Sequence, residues 1–465
     1  MQAATNLKAG MICHTNGFHT SGDGGAAYYT VSTNGTANGM DVLTLQGGLF
    51  ATLMITEPYV TPEMFGAYGD GVIGNSSAGH DDASYIQRAV STKKQVRLSN
   101  KTYLCSQPIN LSIGTILTGV SKSETIIYFS SNAEYGFQAD SYCIIENLLI
   151  TGAQSLNSRS EICVKCVGSA NGIILRNMQV NFFTYGVYIP TYIWNSKITD
   201  VRLNRCEYAL YVAQSDSSPS IFMDFDNMYC NHCEHPIYSV NTAISASLTS
   251  CNFGIDNVDA FNLFSSQMTF DSCNFECDIK VTGSGSLINC GNDAVMNFVN
   301  CAFQPRCEST VFFFGNSGRQ ATFKNCRYFP RSSNEMPQTN FFDVQNISMQ
   351  SEGQILYSDF NSLPDIPLSS YSAKRGMFIK DNVNGLNDGI STYNFANVNT
   401  NYAIHGVDLN DVTDVFFIGY SLTNAPASGW WAVFTLKNPN NSVGVQLAFA
   451  THSSACYKRN LASGT

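Results

Sequence analysis

The sequence has little charge. Only 13% of its 465 residues are Asp, Glu, Lys or Arg, well below the ~25% typical of soluble domains. The formal net charge is −10 and no basic run occurs, which argues against a nucleic-acid partner because phosphates are held by clustered Lys and Arg. No apolar run approaches the ~18 residues of a membrane span. Residues 1–15 lack the charged start and apolar centre of a secretory signal, so we expect neither membrane insertion nor Sec export.

A six-residue phrase, in contrast, recurs nine times in the middle of the chain. Its first, fourth and sixth positions are apolar, and its third is Asn in six copies, Asp in one and Ser in two. The copies are Ile145–Ile150, Leu175–Val180, Ile198–Leu203, Phe225–Cys230, Leu248–Phe253, Phe270–Phe275, Phe298–Phe303, Phe323–Tyr328 and Val344–Met349. Their mean period of about 25 residues indicates a solenoid.

The spacing inside the phrase predicts a strand, a bend and a second strand. Asn and Asp tolerate the left-handed (αL) backbone region, so the third position is the expected bend. Stacked coils would place these residues in one hydrogen-bonded ladder. A third strand is predicted ten to thirteen residues beyond each bend, at Gly186–Ile189, Ala209–Val212, Pro236–Val240, Phe261–Phe264, Ile279–Val281 and Val311–Phe314. The all-β pattern looks like a right-handed, single-stranded parallel β-helix of the pectate-lyase type, with three strands per coil.

Four of the 16 cysteines occupy the fourth position of successive copies. That position is predicted to point inward, in the column Leu148, Met178, Val201, Met228, Cys251, Cys273, Cys301, Cys326 and Ile347. Identical inward thiols one coil apart are better explained as small buried hydrophobic groups than as disulfides. This pattern indicates folding in a reducing cytoplasm.

Residues 22–90 resemble a known N-terminal module. The turn Gly22-Asp-Gly-Gly25 precedes Phe65-Gly-Ala-Tyr-Gly-Asp-Gly71, and the pair Asp81-Asp82 then begins a helical segment through Val90. The series is similar to the leading module of phage tailspikes and related proteins of the pectate-lyase superfamily. The helix would cover the open end of the solenoid. Helix capping is a better explanation of the paired Asp residues than catalysis.

The C-terminal segment is similar to the small pyocin-knob domain at the tips of phage tail fibres. The resemblance rests on Asp408–Asn410, Asn424–Pro426, Trp430–Val433 and Tyr457–Arg459; the Gly-x-Trp…Trp segment of that family is not present. The predicted organisation is a β module (1–60), the glycine-rich motif with the capping helix (61–94), the parallel β-helix (95–349), a transition or shaft (350–398) and a knob-like β domain (399–465).

Acidic residues in the loops after the second strands are the candidate catalytic groups. They are Glu207, Glu234, Asp256, Asp259, Glu276 and Asp278, with Glu308 beyond them. Adjacent coils are ~4.8 Å apart, so carboxylates one coil apart suit a retaining glycosidase and those two coils apart suit an inverting one. The alternative is that these acids form a stripe that only keeps an exposed loop stack soluble.

The candidate substrate-binding residues lie beside these acids. They are Tyr208, Asn231, His232, Tyr238, Arg205 and Arg306, and Tyr185, Tyr229 and Trp194 offer further apolar faces for sugar rings. Core or inter-chain packing is the alternative for Tyr208 and Tyr238. The run Asn231–His235 is rich in metal-capable residues, but strand alternation splits them between faces and no second cluster completes a ligand set. We therefore expect neither a metal nor a cofactor.

The resemblance implies a phage tailspike that binds and depolymerises a bacterial capsule or O-antigen by glycoside hydrolysis. It also implies a homotrimer, attached to the phage tail or baseplate through a missing or N-terminal segment. Such a protein is assembled in the host cytoplasm and acts on the virion tail outside the cell. Three alternatives stay open. They are a non-enzymatic receptor-binding fibre, a polysaccharide lyase that uses Arg205 or Arg306 as cation and His232, Lys280 or a Tyr as base, and a secreted cellular enzyme similar to a pectinase.

Overall fold

The structure is a computed structural model. It describes residues 1–304 except 131–132, 154–158, 168, 191, 214–219, 241, 258, 264–265, 278–285 and 291–293. Beyond residue 304 it describes the strands, as backbone only. In the described part of the chain, no helix is both long and apolar enough to cross a membrane.

The chain begins with an antiparallel four-stranded sheet. Its strands are Ile12–Thr15, Ala27–Ser32, Val42–Thr44 and Phe50–Met54, with short 3-10 turns at Gln46–Gly48 and Pro62–Phe65. The Asp23 carboxylate closes the Gly22–Gly25 turn by accepting hydrogen bonds from the backbone amides of residues 18, 19, 20 and 25. The Gly22–Gly25 segment is therefore a tight turn.

One α-helix, Ala83–Ser91, follows the Phe65–Gly71 motif and buries Ile86, Ala89 and Val90 against the solenoid core. Asp82 occupies the N-cap position but its side chain does not cap the helix. Its carboxylate accepts hydrogen bonds from the amides of Tyr68 (2.7 Å) and Gly69 (3.0 Å). Burial raises the pKa of Asp82 to about 6, although these two hydrogen bonds act in the opposite direction. The Asp82 side chain therefore connects the Phe65–Gly71 motif to the start of the helix.

The rest of the described chain is a parallel solenoid with three strands per coil. The first strands are Gln95–Arg97, Ile116–Thr118, Ile144–Glu146, Ser220–Asp226, Ala243–Thr249, Gln267–Asp271, Val295–Val299, Gln320–Lys324 and Ser348–Glu352, and Tyr59–Val60 pairs with the earliest of them. The second strands are Thr102–Cys105, Ile126–Phe129, Leu149–Thr151, Tyr229–Cys233, Asn252–Ile255, Asn274–Glu276, Ala302–Gln304, Arg327–Tyr328, Leu356–Tyr357 and Lys380–Asp381. First and second strands run together in Ile174–Asn181 and Ser196–Asn204.

The third strands form a separate ten-stranded sheet. They are Ile109–Leu111, Tyr135–Ala139, Ser160–Cys166, Phe183–Ile189, Tyr208–Val212, His235–Ser239, Phe261–Leu263, Ser286–Cys290, Val311–Gly315 and Phe342–Val344. A short pair, Ala170–Asn171 and Ile193–Trp194, lies outside this sheet. The parallel β-helix and its three strands per coil are thus confirmed.

The bend between the first and second strands is αL, as predicted. Its φ angles lie between 48° and 60° at Asn147, Asn177, Asp200, Asn227, Ser250, Ser272 and Asn300. The amide of Asn177 donates to Asn147 Oδ1 (2.7 Å), and that of Asn227 donates to Asp200 Oδ1 (2.6 Å). The predicted bend at residue 325 lies outside the described residues. The prediction for the ninth copy, Val344–Met349, is wrong, because Phe342–Val344 is a third strand and Ser348–Glu352 is a first strand.

The inward column is buried, and its cysteines are free thiols. Cys251, Cys273 and Cys301 are about 1% exposed or less. Their sulfurs donate to backbone carbonyl oxygens, Cys273 to Leu248 and Cys301 to Phe270, each at 3.3 Å. The pairs Cys163/Cys166 and Cys230/Cys233, with C-x-x-C spacing, are buried and free as well. Burial raises the pKa of Cys166 to about 12, so this thiol stays protonated. Cys326 lies outside the described residues.

The predicted third strand Ile279–Val281 lies outside the described residues. The strand that pairs with Phe261–Leu263 and Val311–Gly315 is Ser286–Cys290. It begins fourteen residues after the bend at Ser272, so a count from the bend reaches it too early. Parallel pairing also continues past residue 349, through Leu356–Tyr357 and Lys380–Asp381.

The C-terminal strands form a separate five-stranded sheet. They are Asn401–His405, Phe416–Tyr420, Trp430–Lys437, Val443–Ala450 and Cys456–Ala462, hydrogen-bonded in chain order. The last four pair antiparallel, and the first two pair parallel.

Candidate active site

The bend between the second and third strands also requires an αL residue, and three consecutive coils place a large side chain there. These are Phe182, Arg205 and His232, with φ angles of 60°, 55° and 51°. Such a backbone is uncommon for bulky residues and costs roughly 1–3 kcal/mol, which concentrates it at functional sites. Arg205 and His232 are exposed, and the Arg205 guanidinium lies 5.4 Å from the centre of the Phe182 ring.

An Asn precedes each of these three residues and holds the bend. Asn231 donates to Asn204 Oδ1 at 2.8 Å, and Asn204 donates to Asn181 Oδ1 at 3.4 Å. The hydroxyl of Tyr229 donates to Asn231 Oδ1 at 3.0 Å. Asn231, predicted to bind substrate, therefore already takes part in a second ladder.

Two of the predicted acids, Glu207 and Glu234, share one arginine. Tyr208 and His235 are register partners, which places the preceding glutamates on neighbouring coils, ~5 Å apart along the stack. Arg159 Nη1 lies 3.5 Å from Glu207 Oε2, and Nη2 lies 2.8 Å from Glu234 Oε1. The Arg159 side chain is 10% exposed, and the glutamates are 36% and 39% exposed. The cluster thus holds a buried cation beneath two accessible carboxylates.

A histidine–aspartate pair adjoins this cluster on the next coil. His232 Nδ1 lies 3.1 Å from Asp256 Oδ2, with side chains 45% and 13% exposed. Cys233 pairs with Ile255, so Glu234 and Asp256 follow paired positions. The structure therefore brings together four of the predicted residues, Glu207, Glu234, His232 and Asp256.

Two columns of half-buried rings continue from the glutamates along the third strands. Tyr185, Tyr208 and His235 form the first column, with centroids 5.3 and 4.6 Å apart and rings within 16° of parallel. The second column is Tyr188, Tyr211 and Tyr238, with centroids 5.6 and 6.0 Å apart. Burial raises the pKa of Tyr208 to about 12, and the adjacent Glu207 charge adds to the effect. Tyr208 stays protonated and can donate a hydrogen bond.

Other predicted acids lie elsewhere. Glu276 pairs in register with Gly254, two residues before Asp256, and so it does not extend the row of Glu207 and Glu234. Asp259 is an αL bend residue (φ 52°) whose carbonyl accepts a hydrogen bond from His235 Nδ1 at 2.9 Å. Glu207, Glu234 and Asp256 therefore follow one another in register on three coils, whereas Asp259 and Glu276 lie outside that row. Asp278, Lys280, Arg306 and Glu308 lie outside the described residues.

Sequence reasoning missed Arg159, Tyr188, Tyr211 and His235. A regular signal marks the rings: a Tyr or His lies eight residues after each bend at Asn177, Asp200 and Asn227, and a Tyr lies eleven residues after it. No such signal marks Arg159, because its coil contains a longer loop. The register of Ser160 with Phe183 brings Arg159 beside the αL position. In the described part of the chain, no three His, Cys, Asp or Glu side chains group as a metal site.

No protein-family model matches this sequence, and a search of curated proteins finds no similar sequence. Solved structures do resemble it. The gp42 tailspike of Acinetobacter phage vb_AbaP_AS12 aligns with a TM-score of 0.61 and 11% identity, over 99% of this chain and 90% of that one. The full-length tailspike protein 2 of Escherichia coli O157:H7 bacteriophage CAB120 aligns at 0.55 and 12%, over 99% and 70%. The enzymatically active domain of bacteriophage CBA120 tailspike protein 2 aligns at 0.50 and 13%, over 99% and 78%. The chain therefore has a tailspike β-helix fold.

Proposed function

We propose that this chain is a phage tailspike that binds and depolymerises a bacterial surface polysaccharide, a capsule or an O-antigen. The observation that carries the proposal is the pair Glu207 and Glu234, which lie on neighbouring coils over Arg159 and beside two columns of rings. Aromatic faces pack against the apolar faces of sugars, and paired carboxylates hydrolyse glycosidic bonds. The fold shared with tailspikes, one of them an enzymatically active domain, supports the same assignment.

The placement of the two glutamates on neighbouring coils, ~5 Å apart along the stack, suits a retaining mechanism, in which carboxyl groups are ~5–5.5 Å apart. We assign Glu234 as the nucleophile, because its carboxylate lies closer to the Arg159 guanidinium, at 2.8 Å against 3.5 Å for Glu207. Its oxygen attacks the anomeric carbon as the bond to the leaving oxygen breaks. Glu207 gives its proton to that oxygen and later removes a proton from the water that hydrolyses the glycosyl ester.

The remaining groups have supporting roles in this proposal. Asp256 orients His232 through the 3.1 Å contact, so that its ring presents Nε2 to a sugar hydroxyl. Tyr208 and Tyr238 contact the sugar rings. Arg205, exposed on the adjacent bend, binds the chain outside the cleavage point. Predicted roles for Asp259, Glu276, Asp278 and Arg306 remain predictions.

A polysaccharide lyase is the second candidate. A lyase needs a cation to neutralise a uronate and a base to remove the proton beside it. Exposed Arg205 and the Asp256-oriented His232, on successive coils, have the residue types for these two roles. A receptor-binding fibre that holds the glycan without cleaving it is the third candidate, and it would use the same rings.

The test is incubation of the protein with purified capsules and O-antigens from a panel of bacterial strains. Hydrolysis shortens the polymer and creates reducing ends without ultraviolet absorbance, whereas a lyase adds the absorbance of an unsaturated sugar. Binding to a strain's polysaccharide with unchanged polymer length would establish the receptor-binding alternative and overturn the enzymatic proposal.

We also propose a homotrimer on the virion tail. The low proportion of charged residues in the chain suits contact between chains. Sedimentation of a stable monomer at micromolar concentration would contradict this assembly.

A further inference from the structure

A groove crosses the outer face of the first strands, away from the glutamate cluster on the third-strand edge. It encloses about 490 Å³ and spans five strands, from Ser196–Asn204 to Val295–Val299. Five neighbouring parallel strands extend about 19 Å. The groove is therefore long enough for a short oligomer lying along the solenoid axis.

The groove wall is polar and almost uncharged. Among the described residues that line it, Asp224 is the single ionisable one. The other polar lining side chains are hydroxyls and amides: Asn195, Ser196, Ser245, Ser247, Gln267, Thr269 and Asn297. Hydroxyls and amides both donate and accept hydrogen bonds, as sugar hydroxyls require. None of the described lining residues offers a positive charge for a carboxylate or phosphate; exposed Lys197, the register partner of Asp224, lies beside the lining.

Apolar surface is present at one end and in the floor. Phe222, in the lining, is 48% exposed, and Trp194, one residue before Asn195, is 44% exposed. In the floor, Met223, Ala246 and Met268 are register partners. The small Ala246 is partly exposed although both methionines are buried, and it leaves a shallow apolar hollow between them. Exposed aromatic faces beside hydrogen-bonding groups form a surface that suits carbohydrate.

We propose that this groove is a second glycan-binding site, which takes an uncharged oligosaccharide segment and is separate from the glutamate cluster. The absence of cations among its lining residues, with Asp224 and the net charge of −10, disfavours a polyanionic chain. The inference rests on the proposed function only in taking its ligand from a bacterial surface polysaccharide. It implies that neutral sugars make up the bound stretch.

The test compares arginine substitutions at two exposed positions of one strand, Ser247 inside the groove and Thr249 outside it. The probe is an array of neutral and uronate-containing bacterial oligosaccharides, followed by titration of the bound glycans in solution. We expect neutral glycans to bind the wild-type protein. We expect Ser247→Arg to raise the Kd of these glycans by about tenfold or more. Thr249→Arg should change the Kd by less than about twofold. Gln267→Arg, on the next coil, is the second groove variant if the first does not fold.

The proposal is overturned if no neutral glycan on the array binds the protein, or if the groove and control variants bind neutral glycans equally well. The catalytic proposal is tested separately with Glu234→Gln, which should keep groove binding while cleavage is lost. Loss of cleavage with intact, groove-dependent binding supports both proposals. Groove-dependent binding by a wild-type protein that cleaves nothing supports the groove alone.

Discussion

Both bends of a coil hold a residue in the αL region, but the residue types at the two bends differ. The first bend uses Asn, Asp or Ser in αL, and side chains such as Asn177 hydrogen-bond to the adjacent coil. The second bend holds Phe182, Arg205 and His232 in the same region. Asn tolerates αL well, whereas a bulky residue there is strained.

This difference separates residues that hold the coil together from residues that serve its surface. At the second bend, stabilising hydrogen bonds come from the preceding residues, Asn181, Asn204 and Asn231. The αL position itself is therefore free to carry an exposed charge beside Glu207 and Glu234. Strain at a site that carries charge is typical of functional positions.

The largest expected effect is on catalysis at the second bend. Replacing Glu207 or Glu234 by Gln should lower the rate of depolymerisation by roughly 10²–10⁴-fold, because a proton-transfer group or the nucleophile is lost. Glu161→Gln is the matched control, since Glu161 is an exposed member of the same register row, two coils before Glu207. The measurement is the rate of reducing-end formation. Equal rates in all three variants would remove these glutamates from the mechanism.

The next effect is on stability at the first bend. Asn177→Leu should lower the free energy of unfolding by about 3 kcal/mol, from αL strain of roughly 1–2 kcal/mol and a lost hydrogen bond of about 1 kcal/mol. Asn177→Gly, which removes only the hydrogen bond to Asn147, should lose about 1 kcal/mol. Urea unfolding measures both. A leucine variant as stable as the glycine variant would show that the bend is not strained.

Asp82 extends the comparison to an acid that serves the fold. Its folded-state pKa of about 6 lies above the ordinary ~3.9, so the folded protein holds this proton more tightly than the unfolded chain. The group therefore destabilises the fold as pH rises from 4 through 6, by about 2–3 kcal/mol at pH 7. The free energy of unfolding of the Asp82→Asn variant should not show this fall between pH 4 and pH 6. Urea unfolding at several pH values would contradict the prediction if the two profiles ran parallel; Asp81→Asn, at an exposed position, is the control.

The smallest effect distinguishes the two bends most directly. Arg205→Gly should raise the free energy of unfolding by up to about 1 kcal/mol, because relief of αL strain exceeds the entropy lost by glycine. Asn227→Gly, at the first bend, should lower it by about 1 kcal/mol through the lost hydrogen bond to Asp200. Thermal unfolding of the two variants gives the sign. The same sign for both would mean that the bends do not differ in strain.

The fold followed from the sequence where a local requirement repeats. The αL residue at seven first bends and the buried Cys251, Cys273 and Cys301 were predicted from spacing alone, and the structure confirms them. The count from the bend did not find Ser286–Cys290, which begins fourteen residues after Ser272. Nothing in the local pattern specifies how many residues a loop inserts before the next strand begins.

The candidate site was only partly predictable. Glu207, Glu234, Asp256 and His232 were identified as residues, but not the way in which they group. The rings of the two columns lie at equal distances along the sequence from their bends, yet their stacking depends on the register of the coils. Glu276 lies in a different row because it follows its bend at Ser272 by four residues, whereas Glu207 and Glu234 follow theirs by seven.

The sequence by itself determined a coil with an αL bend, an inward apolar column and acids near the second bend, since each depends on a residue's own conformational and solvation preferences. Only the tertiary structure decided that Arg159 lies between Glu207 and Glu234, 48 and 75 residues further along the chain. Contacts of that separation are set by the stacking of whole coils. The residues that meet in the stack depend on how many residues each intervening coil contains, and no local conformational preference determines that number.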